Sequence, residues 1–584
     1  MCGILGEVFD QGTNRKDFEK RLLRMTHRGP DSFGTYFDDH VSLGQTRLSI
    51  MDISDKGQQP MISNCGKYII IFNGEIYNFK ELRQKLVKNG VEFRSYSDTE
   101  VILNGFISYG EGFVGQLNGM FSFSIYNKIT RELFLARDRS GIKPLYYFSK
   151  NGFFSYSSEL KAFSLQYLTN NLEAKILFLL LGYIPEPYTI YEEVSMFPAG
   201  HYGYFSGGKL SISRFSHYQY HPKHNKSHDE IVSDSREIFY RSVKRHMISD
   251  APIGVLLSGG LDSSAIASIA SQMGELNTIS LEFKEKNFCE KPFQQLIAKK
   301  FGTKHTSWLI DEKIFMSNIE FFIQSMEQPT IDGLNTFLVS MAARNSGLKT
   351  VLSGIGGDEI FYGYPSFRDC KTLNFLTYIP YTLIKAFLPY RRFNKLELLK
   401  AENGLSYYLP KRALFSPSNI ANILNIDKKE VYQLISKLWL TYGPEERNSI
   451  EDEISHYELN MYMKNQLLRD ADVFGMANSL EIRVPFLDNE LVDYSLKVDS
   501  SEKMGALNKR VLAELSQDIL PREIIDRKKM GFTLPFENWF KKNINHFDID
   551  AEASKKFLSG EISWSRFWGL YVLRTWDDQI NVVS

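Results

Sequence analysis

A cysteine stands directly behind the initiator methionine, where its thiol and its main-chain nitrogen could together perform nucleophilic chemistry. Once Met1 is removed, Cys2 carries a thiol and a free α-amine on the same residue. An α-amine has an ordinary pKa of about 7.7–8.0, so it can accept the thiol proton near neutral pH. A cysteine at this position is usually incidental, so the prediction of an N-terminal nucleophile depends on the segments that follow.

Three further segments of the first hundred residues carry groups that such a nucleophile could use. They are His27-Arg28-Gly29-Pro30-Asp31, Asn73-Gly74-Glu75-Ile76-Tyr77-Asn78 and Ser97-Asp98-Thr99-Glu100. An asparagine side-chain amide and a glycine N–H are suitable donors for an oxyanion hole. The plainer interpretation of Asn73-Gly74 is a hairpin turn, because Asn-Gly is a common turn pair. His27 is expected to hold a loop rather than act as a base.

A second kind of chemistry is indicated in the middle of the chain, where an apolar strand runs into a loop of small residues. The segment is Gly254-Val255-Leu256-Leu257-Ser258-Gly259-Gly260-Leu261-Asp262-Ser263-Ser264. Small residues between a strand and a helix let backbone N–H groups and a helix N-terminus approach a phosphate. No Gly-Lys-Ser/Thr follows, so this is not a Walker loop. It matches the pyrophosphate loop Ser-Gly-Gly-x-Asp-Ser of enzymes that adenylate a substrate.

Two later segments could complete a nucleotide site. The first, Leu352-Ser353-Gly354-Ile355-Gly356-Gly357-Asp358-Glu359, follows an apolar strand predicted at Thr350 to Leu352. Asp262 of the preceding loop is a candidate ligand for Mg²⁺, which prefers carboxylate and phosphate oxygens. The second lies around Lys509, whose ammonium group could neutralise charge on phosphates and on an acyl-adenylate transition state. The plainer interpretation of Lys509 is a lysine on a solvated helix face.

The elements that must position these residues fall into two groups. In the first two hundred residues, short apolar runs at 68–72, 120–126 and 133–136 predict strands, and helical patterns occur at 79–88 and 99–109. This pattern predicts a layered sheet sandwich. From about residue 229, helices and strands alternate, which is typical of a parallel α/β sheet, and helices predominate beyond about residue 400. The polar, histidine-rich stretch between the two groups predicts a solvated linker, with metal binding as the less favoured alternative.

The composition excludes some classes of function. Sixty-nine basic residues balance sixty-nine acidic ones in 584 residues, so global charge gives no argument for nucleic-acid binding. The four cysteines have no CxxC or metal-ligand spacing, which is compatible with a reducing cytoplasm. The start of the chain lacks the pattern of a signal peptide. The apolar run from Ile176 to Leu181 is too short for a transmembrane segment.

The motifs, taken in order, resemble those of the glutamine-hydrolysing asparagine synthetase family over essentially the whole chain. Besides those above, the segment 476–488, which includes Ser479-Leu480-Glu481-Ile482-Arg483-Val484-Pro485-Phe486-Leu487-Asp488, matches a family motif, as does Arg527-Lys528-Lys529-Met530-Gly531-Phe532. The resemblance implies an α+β N-terminal domain, an αββα sandwich of the N-terminal-nucleophile type, at 2–214. A linker at 215–228 and an α/β domain with a parallel sheet and extra helices at 229–584 would follow.

The resemblance also implies roles for particular residues. Cys2, Asn73, Gly74 and Lys509 would be catalytic. The glutamine pocket would contain Arg47, Leu48, Ser49, Ile50, Met51, Glu75 and Asp98, with Arg47 and Asp98 gripping the carboxylate and amine of glutamine. For Arg47 the plainer interpretation is a surface cation. The residues at ATP would be Leu257, Ser258, Gly259, Gly260, Asp262, Ser263, Leu281, Ser353 and Gly354, with Mg²⁺ on Asp262 and Asp358. Ammonia would pass through the interior, and ATP would give AMP and pyrophosphate.

The chain departs from the family pattern at Ile355, where asparagine-forming members typically carry a glutamate tied to aspartate activation. Either Glu359 or Asp332 substitutes for it and aspartate is the acceptor, which we favour slightly, or the acceptor is another carboxylate such as a sugar uronic acid. A non-catalytic regulator that binds glutamine and ATP is an alternative of another class, although it would not need Cys2. An adenylating enzyme without glutaminase activity is disfavoured for the same reason. We expect a cytoplasmic enzyme, and a homodimer is compatible with the resemblance.

Overall fold

The computed structural model describes residues 2–9, 12, 14–164, 168–379, 394–401, 404–446, 449–528, 530–531 and 534–583. Twelve strands lie in the first part of the chain. They are β1 (Cys2–Val8), β2 (Ser32–Phe37), β3 (Val41–Arg47), β4 (Met61–Ile62), β5 (Tyr68–Ile76), β6 (Gly119–Asn127), β7 (Glu132–Arg137), β8 (Tyr146–Lys150), β9 (Phe153–Ser157), β10 (Val194–Met196), β11 (His201–Ser206) and β12 (Lys209–Arg214). The helices of this part are α1 (Arg15–Leu23), α2 (Phe79–Lys88), α3 (Asp98–Tyr109) and α4 (Leu172–Leu181).

The strands form two antiparallel sheets, with orders β10-β8-β9-β1-β3-β2 and β12-β11-β7-β6-β5-β4. Successive side chains of β5 point to opposite faces, as the pleat of a strand requires. Ile69 and Ile71 pack in the core that also contains Ile4 and Leu43 of the other sheet. Ile70 and Phe72 pack instead with residues of α2 and α3. Because α1 covers the outer face of the first sheet through contacts such as Phe18 with Leu5, the expected αββα sandwich is confirmed.

The second part of the chain contains one parallel sheet and many helices. The strands are β13 (Ile253–Leu256), β14 (Asn277–Phe283), β15 (Lys304–Ile310), β16 (Thr350–Leu352) and β17 (Glu481–Arg483). The helices up to residue 400 are α5 (His228–His246), α6 (Leu261–Ala270), α7 (Lys291–Phe301), α8 (Glu312–Ser325), α9 (Leu334–Asn345), α10 (Gly357–Ile360) and α11 (Ser366–Thr377).

Helices dominate after residue 400, as predicted. They are α12 (Leu405–Arg412), α13 (Pro417–Leu424), α14 (Lys428–Tyr442), α15 (Ile450–Tyr457), a π-helical stretch (Glu458–Leu468), α16 (Arg469–Ala477), α17 (Asn489–Leu496), α18 (Ser500–Lys503), α19 (Arg510–Ser516), α20 (Arg522–Ile525), α21 (Phe536–Lys542), α22 (Ala551–Leu558) and α23 (Trp564–Val583). Among the residues that the structure describes, no helix has the length and apolar character needed to cross a membrane.

The parallel sheet has the order β15-β14-β13-β16-β17. The chain leaves β13 toward β14 on one side and later returns to β16 on the other side, so the strand order reverses at β13. In an open parallel sheet, the crevice at such a reversal lies outside the carboxyl ends of the strands and is where ligands bind. The loops that carry Ser258 and Ser353 both begin there, directly after β13 and β16.

The segment between the two sheets differs from the solvated linker that was predicted. Residues 215–227 contain no helix or strand. Tyr218 and Tyr220 are nevertheless buried, and the His224 ring lies 3.1 Å from the carbonyl oxygen of Tyr494. The two tyrosines bury a large apolar area, and this burial holds the segment on the protein surface. The linker therefore packs as part of the structure.

Candidate active sites

The first site is built around Cys2, at the start of the central strand β1. Cys2 pairs with Arg47 across β1 and β3, and its side chain is only 7% exposed. The Cys2 backbone N–H donates to Asn73 Oδ1 at 3.1 Å, and the Cys2 carbonyl accepts from Arg28 Nε at 3.1 Å. Asn73 Nδ2 is buried and has no hydrogen-bond partner among the described residues. A buried unsatisfied donor beside a thiol can donate a hydrogen bond to the oxyanion that forms in a tetrahedral intermediate.

The environment of the thiol keeps it protonated until a base acts. Burial raises the pKa of the Cys2 thiol, while a hydrogen bond from the Leu48 backbone and the charge of Arg47 act in the opposite direction. A thiol with a raised pKa is a poor nucleophile without an adjacent base. The nitrogen of Cys2 itself, held by Asn73, would be that base in a chain from which Met1 has been removed.

Asn73-Gly74 is not a hairpin turn, because both residues lie within β5. Gly74 has a φ of +155°, and a Cβ atom there would come within 2.1 Å of the Met120 carbonyl oxygen. Any larger residue would force β5 and β6 apart, so glycine is required for this close approach. The strand continues four residues beyond the predicted run and thereby brings Asn73 to Cys2.

The segment 47–51 lies beside Cys2 at the boundary between the two domains. The Arg47 guanidinium is buried and donates to the carbonyl oxygens of Asp52 and Ser54. The buried side chains of Leu48 and Ile50, with Met51 packed against them, contact Met476 of α16. The Ser49 backbone N–H donates to Asp31 at 2.8 Å. This segment is therefore fixed by both domains, as a pocket wall would be.

Asp98 begins α3 and faces the same region as the end of β5. Ser97 caps the helix by accepting from the Thr99 N–H, and the Asp98 carboxylate accepts from the Ile76 N–H at 3.0 Å. Burial raises the pKa of Asp98 to about 6, although the hydrogen bonds from Ile76 and Thr99 oppose this shift. Its carboxylate therefore changes charge close to the physiological range.

We expect glutamine binding to weaken at acidic pH if Asp98 pairs with the amine of glutamine. The ionised form is needed, and it is lost as the pH falls through about 6. The dissociation constant should then rise about tenfold for each pH unit below that value. Calorimetry on a Cys2→Ala protein, which cannot turn glutamine over, measures this directly. Asp98→Asn should abolish the acidic step, and a constant affinity between pH 5 and 8 would contradict the assignment.

The second site is a cavity of about 560 Å³ at the carboxyl ends of the parallel strands. It brings together nearly all the residues predicted at ATP. The lining includes Leu257, Ser258, Gly260, Asp262, Ser263, Leu281, Ser353, Gly354, Asp358 and Lys509. Gly259 is the exception: its φ of +75° turns the loop, and a Cβ atom there would approach Phe293 at 2.9 Å.

Lys509 lies between the two acidic residues of this cavity. Its Nζ is 2.5 Å from Asp262 Oδ2 and 2.7 Å from Asp358 Oδ1, and the lysine side chain is 3% exposed. Burial alone would lower the pKa of Lys509, but Asp262 and Asp358 raise it above its ordinary value. The backbone of Lys509 is left-handed, with a φ of 53°, a conformation that is strained for a residue with a side chain and is often found at functional sites.

The two carboxylates also suit a divalent cation. Asp262 and Asp358 converge from different loops on one positive charge, here the ammonium of Lys509. Carboxylate oxygens on the edge of a phosphate site are the ligands that Mg²⁺ takes from proteins. These two residues are therefore chemically suited to Mg²⁺.

The far part of the cavity contains groups that local motifs did not reveal. Ile355, Asp332 and Glu359 were singled out from the sequence, but Asp470 of α16 and Arg412 of α12 were not. Burial raises the pKa of Asp470 and of Glu359, each to about 7. These residues are spread over positions 332–470 and share no short motif, so no local pattern joins them. They form the wall where an acceptor would lie next to the nucleotide.

The two sites are joined by buried ion pairs between the domains. Asp472 of α16 accepts from Arg28 Nη2 at 2.8 Å and lies 3.2 Å from Lys143 Nζ. All three side chains are at most 1% exposed. Arg28 also donates to the carbonyl of Cys2, so the synthetase half helps to hold the Cys2 backbone. The ion pair of Arg28 with Asp472 joins residues that lie 444 positions apart in the sequence.

Comparison with known proteins places both halves in described families. A model described as a glutamine amidotransferase domain matches residues 1–218, and one described as asparagine synthase matches residues 234–558. The chain is 33% identical over 572 residues to "Asparagine synthetase [glutamine-hydrolyzing] 1" of Bacillus subtilis, covering 94% of this chain and 89% of the relative.

Two further relatives show the range of names in this group. "Asparagine synthetase B [glutamine-hydrolyzing]" of Escherichia coli is 27% identical, with 91% of this chain and 82% of the relative covered. "Amidase chry2" of Gibberella zeae is 26% identical, with 92% and 90% covered. The asparagine synthase family implies the use of ATP, and the amidotransferase domain implies glutamine as the nitrogen donor. The protein is an ATP-dependent carbon–nitrogen ligase that performs glutamine-dependent amidation, and it belongs to the glutamine-hydrolysing asparagine synthetase family.

Proposed function

We propose that the protein converts aspartate to asparagine, with ammonia released from glutamine at Cys2 and an aspartyl-adenylate formed beside Lys509. The observation that carries the proposal is the convergence of Lys509 on Asp262 and Asp358 next to the Ser258–Ser263 loop. The names of the relatives from Bacillus subtilis and Escherichia coli support aspartate as the acceptor.

At the first site, the α-amine of processed Cys2 takes the thiol proton, and the sulfur attacks the side-chain carbonyl carbon of glutamine. Asn73 Nδ2 and the Gly74 N–H stabilise the resulting oxyanion. The proton then passes to the leaving nitrogen, which departs as ammonia and leaves a thioester on Cys2. Arg47, Asp98 and Glu75 hold glutamine in the orientation that this attack requires.

At the second site, an acceptor carboxylate oxygen attacks the α-phosphorus of ATP, and the bond to the bridging oxygen breaks to release pyrophosphate. Lys509 neutralises charge on the phosphates, and the loop N–H groups near Ser258 and Gly260 hold them. Asp262 and Asp358 would hold Mg²⁺, which supplies further positive charge there when bound. Ammonia then attacks the acyl carbon and AMP leaves.

A screen of carboxylates tests the proposal. Purified protein with ATP, Mg²⁺ and glutamine is offered aspartate or uronic acids, and pyrophosphate, AMP and the amide are measured. We expect aspartate-dependent pyrophosphate and AMP. Release of ADP and phosphate would overturn the adenylation step, whatever happens to glutamine. Glutamine binding without any turnover would instead support the regulator alternative.

A second acceptor class is favoured by one observation, the apolar side chain of Ile355 in the cavity wall. A uronic acid lacks the α-amine that a glutamate at this position would contact, so an apolar residue suits it. Under the aspartate proposal, the neighbouring carboxylates Asp332, Glu359 or Asp470 take over the contact with the amine.

The variant Ile355→Glu separates the two acceptors. With aspartate as acceptor, the variant should keep or raise the rate of aspartate-dependent pyrophosphate release, because it adds a carboxylate near the substrate amine. With a uronic acid as acceptor, the same change would bury an unpaired charge at a cost of several kcal/mol, and the native reaction should be lost. Ile355→Met serves as the apolar control, and its rate should stay near that of the wild type in either case. Robust asparagine formation by the wild-type protein would exclude the uronic acid as main acceptor.

The proposal also includes a cytoplasmic enzyme that acts as a homodimer. Its cysteines, Cys2, Cys65, Cys289 and Cys370, are all free thiols, which suits a reducing compartment. Sedimentation of the purified protein tests the dimer.

A further inference from the structure

A cation of the synthetase half reaches into the expected glutamine pocket. Arg483 lies at the end of β17, and its side chain is fully buried. Its Nη2 is 3.2 Å from Glu75 Oε2, and its Nε is 2.6 Å from Glu481 Oε1. Its Nη1 donates to the carbonyl oxygens of His246 and Ile248 at 2.8 and 2.6 Å. Four fixed partners leave the planar guanidinium one orientation.

Arg483 favours the ionised form of Glu75 against the effect of burial. Burial raises the pKa of Glu75 well above its ordinary value, and Asp98 and Glu481 raise it further, whereas Arg483 lowers it. Removing Arg483 would leave Glu75 buried among acidic groups, and such a group takes up a proton rather than stay charged. A protonated Glu75 would lose part of its capacity to accept hydrogen bonds.

That capacity matters for choosing between glutamine and glutamate. The side-chain amide of glutamine offers two N–H donors, and glutamate offers none in its ionised form. The carboxyl oxygens of Glu75, held by Arg483 at 3.2 Å, would accept from the amide, and they would find no donor on a carboxylate. A site built to accept hydrogen bonds from a substrate N–H discriminates strongly against an analogue that lacks it.

We propose that Arg483 is a positioning residue of the glutaminase site: it holds Glu75 for the side-chain amide of glutamine, so that recognition of glutamine requires a side chain from the synthetase half. This inference rests on the proposed glutamine pocket around Cys2 and adds a residue from the other domain to it.

The backbone of the same residue contacts the nucleotide site. Leu352 pairs with Arg483 across β16 and β17, and the Ser353 N–H donates to the Arg483 carbonyl at 2.8 Å. Ser353 and Gly354 follow at once in the cavity wall. One residue of β17 therefore touches the loop expected at ATP through its carbonyl and the expected glutamine pocket through its guanidinium.

The test is a comparison of Arg483→Met, Glu75→Gln and the double variant, with steady-state kinetics for glutamine and, separately, for ammonium. Arg483→Met should raise the KM for glutamine at least tenfold with a smaller change in kcat, and ammonia-dependent synthesis should stay within about threefold of the wild type. The double variant should be no worse than the poorer single variant, because both changes remove one contact.

Two further variants keep the test informative. Arg483→Lys retains the charge, so it should recover part of the lost affinity even if Arg483→Met does not fold. Arg245→Met is the matched control: Arg245 is a half-buried arginine of α5 that pairs with Asp488 and Glu490 rather than Glu75. The KM of this variant for glutamine should match that of the wild type.

Other outcomes would contradict the role of Arg483 or the proposed function. An unchanged KM in Arg483→Met, or effects of Glu75→Gln and Arg483→Met that multiply in the double variant, would overturn the role of Arg483. If the wild-type protein itself hydrolyses no glutamine, the proposed function of the first site fails instead.

Discussion

Cys2→Ala should abolish synthesis from glutamine and leave synthesis from ammonium salts at the wild-type rate. The thiol is the only group at the start of β1 that can form a thioester, and loss of a catalytic nucleophile typically lowers the rate by about 10⁴-fold or more. The second site does not use this thiol, so added ammonia should still reach the adenylate. Steady-state assays of amide formation with glutamine or with ammonium chloride measure both activities on the same sample.

The matched control is Cys65→Ala, because Cys65 is an exposed free thiol. It should change neither activity. Glutamine hydrolysis by Cys2→Ala at the wild-type rate would show that another residue is the nucleophile. A parallel loss of the ammonia-dependent reaction would show that the change damages the fold, since the Cys2 backbone binds both Asn73 and Arg28.

Lys509→Met should produce the reverse pattern, with synthesis from both nitrogen sources lowered by about 10³-fold and glutamine hydrolysis retained. The change removes the ammonium from between Asp262 and Asp358 and preserves most of the side chain's length. Charge developing on pyrophosphate as it leaves would then lack a fixed counter-charge. Pyrophosphate release in the presence of the acceptor measures the loss, and ammonia release from glutamine measures the retained activity.

An exposed lysine provides the control for Lys509→Met. Lys556 pairs with Glu552 on the surface of α22, and Lys556→Met should leave both activities unchanged. Normal pyrophosphate release by Lys509→Met would refute the assignment of Lys509. Loss of glutamine hydrolysis together with synthesis would mean that the two sites depend on each other more tightly than the ion pairs between the domains indicate.

Much of the local structure could be predicted from the sequence, because it depends on short-range patterns. Helix α2 spans the predicted 79–88, and β16 spans the predicted Thr350–Leu352. The boundaries shift where tertiary packing overrides the pattern. The apolar run that predicted β5 ends at Phe72. The strand continues through polar Asn73 and Glu75 because β6 pairs with both residues and the Cys2 N–H donates to the Asn73 side chain.

The two sites differ in how far sequence motifs could describe them. Residues 258–263 form one continuous segment after an apolar strand, so their position could be predicted from local pattern. Their meeting with Asp358 and Lys509 was expected from the family resemblance. The contacts of Arg483 with Glu75 and of Arg28 with Asp472 join residues 408 and 444 positions apart. Arg28, Glu75 and Arg483 belong to motifs of their own domains and Asp472 to none, and no local pattern indicates a partner in the other domain.

The buried ion pairs have a consequence for inheritance and for engineering. A gene fragment that encodes only residues 2–214 would retain Arg28 and Lys143 but lack Asp472, leaving two cations without their shared carboxylate. Breaking such a pair by removing one member is strongly destabilising. Exchange of this amidotransferase half between relatives should therefore succeed only when the incoming half carries cations that match Asp472 and a carboxylate that matches Arg483. The two halves should therefore be inherited as one unit.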